Sequence, residues 1–572
     1  MRILLLAHSF NSLTQRLWIE LAAWGHDVSL ELDVNDAVTR QAVQRFAPDL
    51  VVAPFLKRAI PEDVWRTVRC LIVHPGIVGD RGPSALDWAV LDGEPRWGIT
   101  VLQANGEFDA GDVWAGVEFD MRAASKSSLY RNEVTEAAVA AVRDALARIA
   151  DGGAATPLAA IAGARGRQRP AMRQTDRAIA WQHDTTDQVL RKLRAADGVP
   201  GVLDDVLGLA VHCYDAHAET RLRGAPGEVI AQRHGAICRA TTDGAVWITH
   251  LRNAADEQRP FKLPAAMVLG ERLAGVPASA IAEDASPAQT WSDIRYEEHG
   301  PVGVLHFAFY NGAMSTQQCE RLTAAYHRAC GRPTRVIVLA GGPDFWSNGL
   351  NLNVIEAAEH PAEESWRNIE AMDDLALAIL TTDTHLTVAA LQGNAGAGGV
   401  FLALAADRVV ARSGVVLNPH YKGMGNLYGS EYWTYLLPRR VGAAGARTIT
   451  EGRLPLGAAT AAALGLIDAH EGGIPADFLA STLRDAQRLA SDGFEKQLAA
   501  KRHRRAVDEA HKPLAAYRAE ELSRMRENFY GFDPSYHVAR YHFVRKLPKA
   551  RTPSYLARHR ALPSTSAATG RP

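Results

Sequence analysis

The chain has 572 residues and an almost neutral composition, with 63 Lys or Arg against 64 Asp or Glu. The length exceeds a single hydrophobic core and predicts two or three domains, while the balanced charge argues against a general nucleic-acid or polyanion binder. The five cysteines are scattered without a CxxC pair or a Cys/His cluster, so neither a disulfide framework nor a metal site is indicated.

The N-terminal apolar run has the length of a β-strand. It lacks the basic head, the long apolar segment and the small-residue cleavage site of a secretory signal. No stretch approaches the roughly 18 apolar residues of a membrane helix. We therefore expect a soluble, cytoplasmic protein without a membrane partner.

The first 150 residues alternate β-rich runs with amphipathic helices. Strands are predicted at 1–7, 26–32, 50–53, 70–73 and 98–103, and helices at 13–24 and 126–150. This alternation predicts an α/β fold with a doubly wound parallel sheet, whose site lies at the carboxyl ends of the strands.

Polar motifs follow the fourth and fifth of these strands. The first reads His74-Pro-Gly-Ile-Val-Gly-Asp-Arg81-Gly and the second Glu-Phe-Asp109-Ala-Gly111. An imidazole beside a carboxylate can move a proton from an attacking amine or thiol while a tetrahedral formyl intermediate is held. We therefore predict His74 and Asp109 as a catalytic pair, with each strand delivering its side chain to one sheet edge.

These motifs resemble the tetrahydrofolate-dependent formyltransferases, whose signatures read His-Pro-x-x-x-x-x-Arg-Gly and Asp-x-Gly. The resemblance implies 10-formyltetrahydrofolate as formyl donor and places Arg81 among the cofactor-binding residues. One position departs from the family: an asparagine two residues before the histidine is replaced by Ile72. Loss of such an oxyanion donor costs on the order of 10²–10³ in rate, unless Asn105 or a backbone N–H replaces it.

Three arginines are candidates for binding the phosphates of coenzyme A. Arg16 stands at a predicted helix start, Arg131 lies where it could pair with the same phosphate, and Arg540 is a weaker candidate near the C-terminus. A solvated surface position is an equally open interpretation of each. The run Lys501-Arg-His-Arg-Arg505 is interpreted as an exposed helix face.

A Gly-, Ala- and Arg-rich linker separates the first predicted domain, residues 1–165, from a second at 170–285. Short strands with turn signals run from about residue 208 to 251. This region resembles the small β-barrel module attached to methionyl-tRNA formyltransferases. Because it lacks a pronounced basic stripe, we expect no nucleic-acid partner.

A third domain is predicted at 290–550, with two strand-to-glycine-turn-to-helix units. The first turn reads Phe-Trp-Ser-Asn-Gly349-Leu350, and the second Asn-Ala-Gly-Ala-Gly398-Gly. The pair resembles the crotonase (enoyl-CoA hydratase/isomerase) superfamily over about residues 295–475, which implies a ββα superhelix. The resemblance further implies that the N–H groups of Leu350 and Gly398 bind an acyl-CoA thioester oxygen. The alternative is that these glycines only permit tight packing.

The carboxylates of the crotonase-type hydratases are replaced here by Phe401 and, approximately, His420, so addition of water to a double bond is not expected. A block of aromatic residues follows, running from Tyr421 through Glu431 to Tyr435. A carboxylate among aromatics can have a raised pKa and carry a proton, which makes Tyr421 and Glu431 catalytic candidates. The alternative is that the aromatic residues pack while Glu431 caps a helix.

The combination of both regions over nearly the whole chain resembles the HypX/HoxX family of hydrogenase maturation proteins. The resemblance implies transfer of formyl from 10-formyltetrahydrofolate to coenzyme A, followed by decarbonylation of formyl-CoA to the CO ligand of nickel–iron hydrogenase. Transient partners would then be hydrogenase maturation proteins. Two alternatives stay open: a formyltransferase or deformylase whose second region only binds CoA, and a non-catalytic scaffold. Residues 551–572 are predicted as a flexible tail.

Overall fold

The computed structural model describes residues 1–281, 286 and 288–561. The chain divides into two compact units. Unit 1 holds residues 1–124, 129–172 and, among the described residues, 548–561, while unit 2 holds residues 125–128 and 173–547. The domain boundary predicted at 165–170 lies a few residues before the change from unit 1 to unit 2 at residue 173. The predicted boundary at 285–290 falls within unit 2 and partly outside the described residues.

The first 172 residues form an α/β layer structure. The strands are β1 (Arg2–Ala7), β2 (Asp27–Leu32), β3 (Leu50–Phe55), β4 (Cys70–His74), β5 (Arg96–Gln103) and β6 (Val113–Asp120). The helices are α1 (Ser12–Ala23), α2 (Asp36–Phe46), α3 (Glu62–Thr67), α4 (Ala85–Asp92), α5 (Lys126–Leu129) and α6 (Thr135–Ala150). The sheet order is β2-β1-β3-β4-β5-β6. Strands β1 and β4 are apolar runs buried on both faces, as expected between two helical layers.

Strand β5 runs in the direction opposite to the one that the sequence predicted. β1 to β4 are parallel, but β5 is antiparallel to β4, with Thr100 beside His74 and Gln103 beside Leu71. The end of β5 therefore lies at the start of β4, away from the imidazole. The following loop must double back to bring Asp109 to His74, which corrects the expectation that Asp109 arrives at the end of a parallel strand.

The described part of the predicted flexible tail, up to residue 561, is packed rather than free. Leu556 and Ala557 are buried, and the carbonyl of Leu556 accepts a hydrogen bond of 3.0 Å from the N–H of Leu30 in β2. Glu31 of β2 is fully buried, with its carboxylate 3.0 Å from Nε2 of His559 and 2.6 Å from Nη2 of Arg560. This ion cluster fixes the segment to unit 1, because a buried charge needs a partner. The predicted tail beyond residue 561 lies outside the described residues.

The first part of unit 2 is an antiparallel sheet covered by a helix. Its strands are β7 (Val202–Val206), β8 (Leu209–Glu219), β9 (Val229–Arg233), β10 (Ala236–Ala240), β11 (Ala245–Asn253) and β12 (Leu263–Pro264). Its helices are α7 (Thr186–Ala196) and α8 (Ala265–Leu269). The order is β7-β8-β11-β10-β9, and β12 also pairs with β11. The apolar face of α7 packs into the core of this module through Val189, Leu190 and Leu193.

The rest of unit 2 repeats a strand–strand–helix unit. Its strands are β13 (Ile294–His299), β14 (Val302–Phe307), β15 (Ala313–Met314), β16 (Val336–Gly341), β17 (Phe345–Ser347), β18 (Gly349–Leu350), β19 (Leu386–Leu391), β20 (Asn394–Gly396), β21 (Arg408–Arg412), β22 (Val416–Asn418), β23 (Leu456–Gly457) and β24 (Ala469–Glu471). Its helices are α9 (Thr316–Cys330), α10 (Leu352–Ala357), α11 (Pro361–Thr381), α12 (Gly398–Leu404), α13 (Trp433–Gly452), α14 (Ala458–Ala463), α15 (Pro475–Ser491), α16 (Phe494–His511), α17 (Leu514–Tyr530) and α18 (Ser535–Val544).

These repeats place successive strands in two different sheets. One sheet has the order β13-β14-β16-β19-β21-β24 and the other β17-β20-β22-β23. Each of the pairs β16–β17, β19–β20 and β21–β22 contributes one strand to each sheet before a helix follows, which confirms the predicted ββα superhelix. Across the described ranges, no helix combines the length and the apolar character needed to cross a membrane.

Candidate functional site

His74 lies at the end of β4 and is held between two carboxylates. Its Nε2 is 3.1 Å from Oδ1 of Asp80, and its Nδ1 is 3.4 Å from Oδ1 of Asp109. Oδ2 of Asp109 also accepts a hydrogen bond of 3.3 Å from the backbone N–H of Gly82. His74 and Asp80 are almost fully buried, whereas the side chain of Asp109 keeps an exposed fraction of 18%. The predicted pair, His74 and Asp109, is therefore part of a triad with Asp80, and the triad is open to solvent at Asp109.

The two carboxylates set the charge of this imidazole. Burial alone would lower the pKa of His74, but the hydrogen bonds and negative charges of Asp109 and Asp80 outweigh burial and raise it to about 9. Burial would raise the pKa of the Asp109 carboxyl, but the hydrogen bond and the charge of His74 contribute to a net lowering of that pKa. At neutral pH the ring is consequently an imidazolium, which donates protons and does not accept them.

Two glycines make this arrangement sterically possible. A Cβ added to Gly76 would lie 2.4 Å from Nε2 of His74, so a side chain there would displace the imidazole. A Cβ added to Gly111 would lie 1.7 Å from the carbonyl oxygen of Gln103, against which the loop after β5 folds back. The glycine of the Asp-x-Gly motif thus permits the reversal that brings Asp109 to His74.

Arg81 and Ile72 lie close to this triad in the sequence. Arg81 is half-buried, with Nη1 3.7 Å from Oε2 of Glu107. Ile72 is half-buried in β4 and shares a strand face with His74, because alternate residues of a strand point the same way. Asn105 accepts a hydrogen bond of 2.9 Å from the N–H of Glu107, so its carbonyl oxygen stabilises the turn before Asp109.

The predicted CoA-binding arginines of unit 1 differ in their surroundings. Arg16 is buried in α1, where Nε donates to Glu20 at 2.7 Å and Nη1 donates to Glu136 at 3.0 Å. Arg131 is half-buried in the π-helical turn Tyr130–Val134. Because two carboxylates already hold the Arg16 guanidinium, we leave this residue out of the proposed CoA contacts.

Arg540 of α18 is also engaged inside the protein. Its Nε donates to Glu356 at 2.7 Å, and its Nη1 lies 2.9 Å from Nδ1 of His537. Both Arg540 and Glu356 are buried, with side-chain exposed fractions of 5% and 7%. This arginine neutralises a buried carboxylate, and we likewise leave it out of the proposed CoA contacts.

The two glycine turns of unit 2 meet. Gly349 has a φ of +79°, and a Cβ added to it would lie 3.4 Å from the backbone nitrogen of Gly398. Leu350 follows in β18, and Gly398 opens α12 directly after Ala397, whose φ of 48° is uncommon for a residue with a side chain. The predicted oxyanion donors, Leu350 and Gly398, are thus on neighbouring turns.

Glu431 lies directly against the second turn. A Cβ added to Gly398 would be 2.3 Å from Oε1 of Glu431, so only glycine leaves room for this carboxyl group. Glu431 is buried and adopts a left-handed backbone with a φ of 59°. Its Oε2 accepts a short hydrogen bond from the hydroxyl of Tyr421, whereas Oε1 has no hydrogen-bond partner among the described residues.

Two further buried carboxyl groups surround Glu431. Asp373 of α11 accepts hydrogen bonds of 2.8 Å from the N–H of Glu431 and the hydroxyl of Ser430. Glu521 of α17 accepts hydrogen bonds from the N–H groups of Tyr432 and Thr434, at 2.9 and 2.8 Å. Both accept backbone N–H groups around Glu431 and so fix the path of this segment.

This surrounding changes the acidity of all three carboxyl groups. Burial, then the charge of Asp373, raises the pKa of Glu431 to about 8. Burial also raises the pKa of Asp373 to about 6 and that of Glu521 to about 8. A carboxyl group with a pKa near neutrality can both donate and accept a proton, which is the property required of a proton carrier.

The positions of the missing hydratase carboxylates have other contacts. The ring of Phe401 stacks on that of Tyr421, with 5.2 Å between centroids and 20° between planes. His420 is a neutral imidazole, because burial and the charge of Arg453 lower its pKa to about 4. Phe401 therefore supports the tyrosine that binds Glu431.

Models of three protein families match successive parts of the chain. The formyl transferase model matches residues 31–146, the formyl transferase C-terminal domain model residues 171–261, and the enoyl-CoA hydratase/isomerase model residues 305–540. The hydrogenase maturation factor HoxX of Bradyrhizobium diazoefficiens is 58% identical over 562 residues, which cover 98% of this chain and 97% of that protein. The chain belongs to the HoxX/HypX family of hydrogenase maturation factors.

A solved HoxX/HypX structure has the same fold over its full length. HypX from Aquifex aeolicus, in complex with tetrahydrofolic acid, is 50% identical with a TM-score of 0.94, and the match covers 98% of this chain and 99% of that one. A putative enoyl-CoA hydratase/isomerase of Bacillus subtilis is 28% identical over 186 residues, 32% of this chain and 72% of that protein. The resemblance inferred from the motifs is confirmed at the level of family and fold.

The sequence reasoning missed Asp80, Asp373 and Glu521. Asp80 stands inside the first motif, six residues after His74, so its place in a loop next to the imidazole was a usable signal. Asp373 lies next to Asp374 in a helix, and the sequence does not show which of the two points into the core. Glu521 is 90 residues from Glu431 in a charged helix, and nothing local distinguishes it from its exposed neighbours.

Proposed function

We propose that this HoxX/HypX family member produces carbon monoxide for the nickel–iron centre of hydrogenase in two steps. Formyl would pass from 10-formyltetrahydrofolate to the thiol of coenzyme A, and the formyl-CoA would then lose CO. The observation that carries the proposal is the buried Oε1 of Glu431, which has no partner among the described residues and lies against Gly398. The tetrahydrofolic acid bound to the related HypX structure supports the choice of donor.

The first step would use the triad around His74. The CoA sulfur attacks the formyl carbon, a C–S bond forms and the bond from the formyl carbon to N10 of the folate breaks. The thiol loses its proton to solvent before the attack, N10 takes a proton from His74 as its bond breaks, and solvent returns a proton to the ring, so that one proton is transferred overall. The His74 imidazolium, with a pKa of about 9, would stabilise the oxyanion and supply a proton, while Asp109 holds the ring. This proton donor would partly take the place of the asparagine amide that the family has at the position of Ile72.

The second step would use the pair of turns in unit 2. The thioester oxygen of formyl-CoA accepts hydrogen bonds from the N–H groups of Leu350 and Gly398. Glu431 removes the formyl proton, the C–S bond breaks, CO leaves, and the proton is passed to the departing thiolate. No oxidant or reductant is needed, because formyl-CoA and the sum of CO and CoA have the same oxidation level. Tyr421 holds Oε2 and directs Oε1 to the substrate.

The residues that replace the hydratase carboxylates favour this reaction over hydration. Addition of water requires carboxylates that position and activate it, whereas Phe401 is apolar and His420 is neutral. A water-poor site also protects formyl-CoA from hydrolysis. We infer that the reaction takes place in the cytoplasm, since all five cysteines are free thiols, and that hydrogenase maturation proteins receive the product.

The decisive experiment measures CO from the purified full chain with 10-formyltetrahydrofolate, with and without CoA, using a haem protein as optical trap. We expect CoA-dependent CO, and in Glu431→Gln a loss of at least 100-fold in CO with formyl-CoA still formed. Glu359→Gln is the matched control, since this glutamate is 91% exposed. Formate without CO from the unaltered chain would contradict the decarbonylation and favour a deformylase.

A further inference from the structure

Unit 2 contains a cleft that the proposed reaction does not use. It has a volume of about 290 Å³ and lies where α12 ends, between α13 and α16. Its floor is apolar, formed by Ile379, Leu380, Leu404, Ala405 and Ala406. Because Gly398 begins α12 and the cleft follows its last residue, the cleft lies at the opposite end of the helix from Glu431.

The wall of this cleft is basic. Five cationic side chains line it, against the single carboxylate of Asp407: Arg439, Arg440, Lys501, Arg504 and Arg505. Lys501 is paired with Asp407 at 2.6 Å, so the wall presents four guanidinium groups in addition to this pair. Residues 501–505, predicted to be an exposed helix face, thus include one wall of a cleft, and Lys501 is buried.

Carboxylates outside the cleft hold its arginines in place. Arg440 donates to Asp468 at 2.8 Å, and Arg505 donates to Glu509 at 2.6 Å. Neither carboxylate lines the cleft. A guanidinium has five N–H donors, so each arginine keeps further donors after these bonds. Arg439 likewise lies 3.6 Å from Asp508. The ion pairs therefore orient the guanidinium groups and offset part of their charge, and the remaining N–H donors are what the wall offers to an anion.

Tyr435 ties two of the arginines together. Its hydroxyl accepts hydrogen bonds of 2.8 Å from Arg439 and 2.7 Å from Arg505, and both guanidinium groups also lie over its ring, at 5.5 and 5.2 Å from the centroid. The hydroxyl donates in turn to Asp508 at 2.7 Å. The cationic groups are consequently pre-organised, which lowers the entropy lost when an anion binds.

We propose that this cleft is a second ligand site, which binds the phosphate or diphosphate group of a small molecule. Guanidinium groups bind phosphate oxygens in pairs of parallel hydrogen bonds and are weakly hydrated, so several around one cleft favour a multiply charged anion. The volume is close to the lower end of small-molecule sites, about 300 Å³. The apolar floor accommodates the uncharged part of the ligand.

The test is calorimetric titration of the full chain with inorganic diphosphate in phosphate-free buffer. We expect saturable binding that weakens between 50 and 200 mM salt, as roughly expected for a charge-dominated contact. The double variant Arg439→Gln/Arg504→Gln should weaken it at least tenfold. Arg502→Gln removes a charge from the same helix outside the cleft and should leave it unchanged. Equal affinity of the double variant and the unaltered chain would overturn the proposal.

A second titration, with coenzyme A, distinguishes the sources of the phosphate. If the double variant weakens diphosphate but not CoA, the cleft binds an independent phosphorylated ligand. If it weakens both alike, the cleft holds the phosphates of CoA itself. Both outcomes support the anion site and differ only in its natural ligand. Failure of CO production in the assay above would leave these binding results unaffected.

Discussion

Glu431 is a carboxyl group at a buried position, where ionisation is unfavourable in free energy. Buried against Gly398 and beside Asp373, it has a pKa of about 8, compared with an ordinary value of 4.5. The same burial that makes it a usable proton carrier therefore opposes folding whenever the group is ionised in the unfolded chain. Activity and stability conflict at this one residue.

This conflict predicts a gain of stability in Glu431→Gln. Between pH 4.5 and 8 the unfolded chain releases a proton that the folded chain keeps, so the free energy of unfolding falls as pH rises through this window. The glutamine variant lacks the titration. Thermal melting should show the variant to be more stable than the unaltered chain at pH 8, by an amount on the order of a few kcal/mol. At pH 4.5 the two should be similarly stable. A variant less stable at pH 8 would contradict the assignment.

The same carboxyl predicts the pH dependence of CO release from formyl-CoA supplied directly. Because the ionised form is the base, the rate should rise as pH increases towards about 8 and level off above it. Asp373→Asn removes a neighbouring negative charge and should shift this profile to lower pH. Initial rates between pH 5.5 and 9 measure both. An unshifted profile would show that Asp373 has no influence on the catalytic proton.

His74 is positively charged when ionised, but its effect on stability also falls as pH rises. Its folded pKa of about 9 exceeds the ordinary 6.5, so its ion cluster stabilises unit 1 fully below pH 6.5 and loses this contribution as pH rises through 9. His74→Asn should lower formyl transfer by about 10²–10⁴ and remove this pH dependence. Urea unfolding of the variant and the unaltered chain at pH 6 and pH 10 is the measurement. A stability difference that grows with pH would contradict the imidazolium state.

Among the elements, the loop after β5 decides whether the first site exists. Its end pairs back on β5, with the N–H of Gln103 donating to the carbonyl of Asp112 at 2.8 Å. Only a residue without a side chain fits at Gly111 within this reversal. The loop is therefore a structural support for Asp109, not a mobile connection.

Gly111→Ala should accordingly impair formyl transfer without touching a catalytic side chain. The added methyl collides with the carbonyl of Gln103, and relief of such a clash costs about 1–3 kcal/mol and moves Asp109. Gly106→Ala is the matched control in the same loop, because an added Cβ there meets nothing within 4 Å. Steady-state formyl transfer by both variants is the measurement. Equal activity of the two would show that the reversal is not needed.

Across the whole molecule, the sequence predicts those strands and turns that local residue patterns determine. The strands around β1 and β4 follow from apolar runs, and the turns at Gly349 and Gly398 follow from glycine spacing. The antiparallel direction of β5 is not encoded locally, because strand and helix patterns are the same for either direction. Glu521 approaches Glu431 only through the packing of α17, so no spacing reveals it. Roles of individual site residues stay predictions until the variants are measured.

The return of residues 548–561 to β2 bears on the order in which the protein is made. Glu31 is translated before unit 2, whereas its partners His559 and Arg560 follow unit 2 in the chain. Until that segment is made, Glu31 lacks the guanidinium of Arg560, and removing one partner of a buried ion pair costs about 3–5 kcal/mol. Unit 1 is therefore completed only after unit 2 has been synthesised, because residues 548–561 follow unit 2 in the chain.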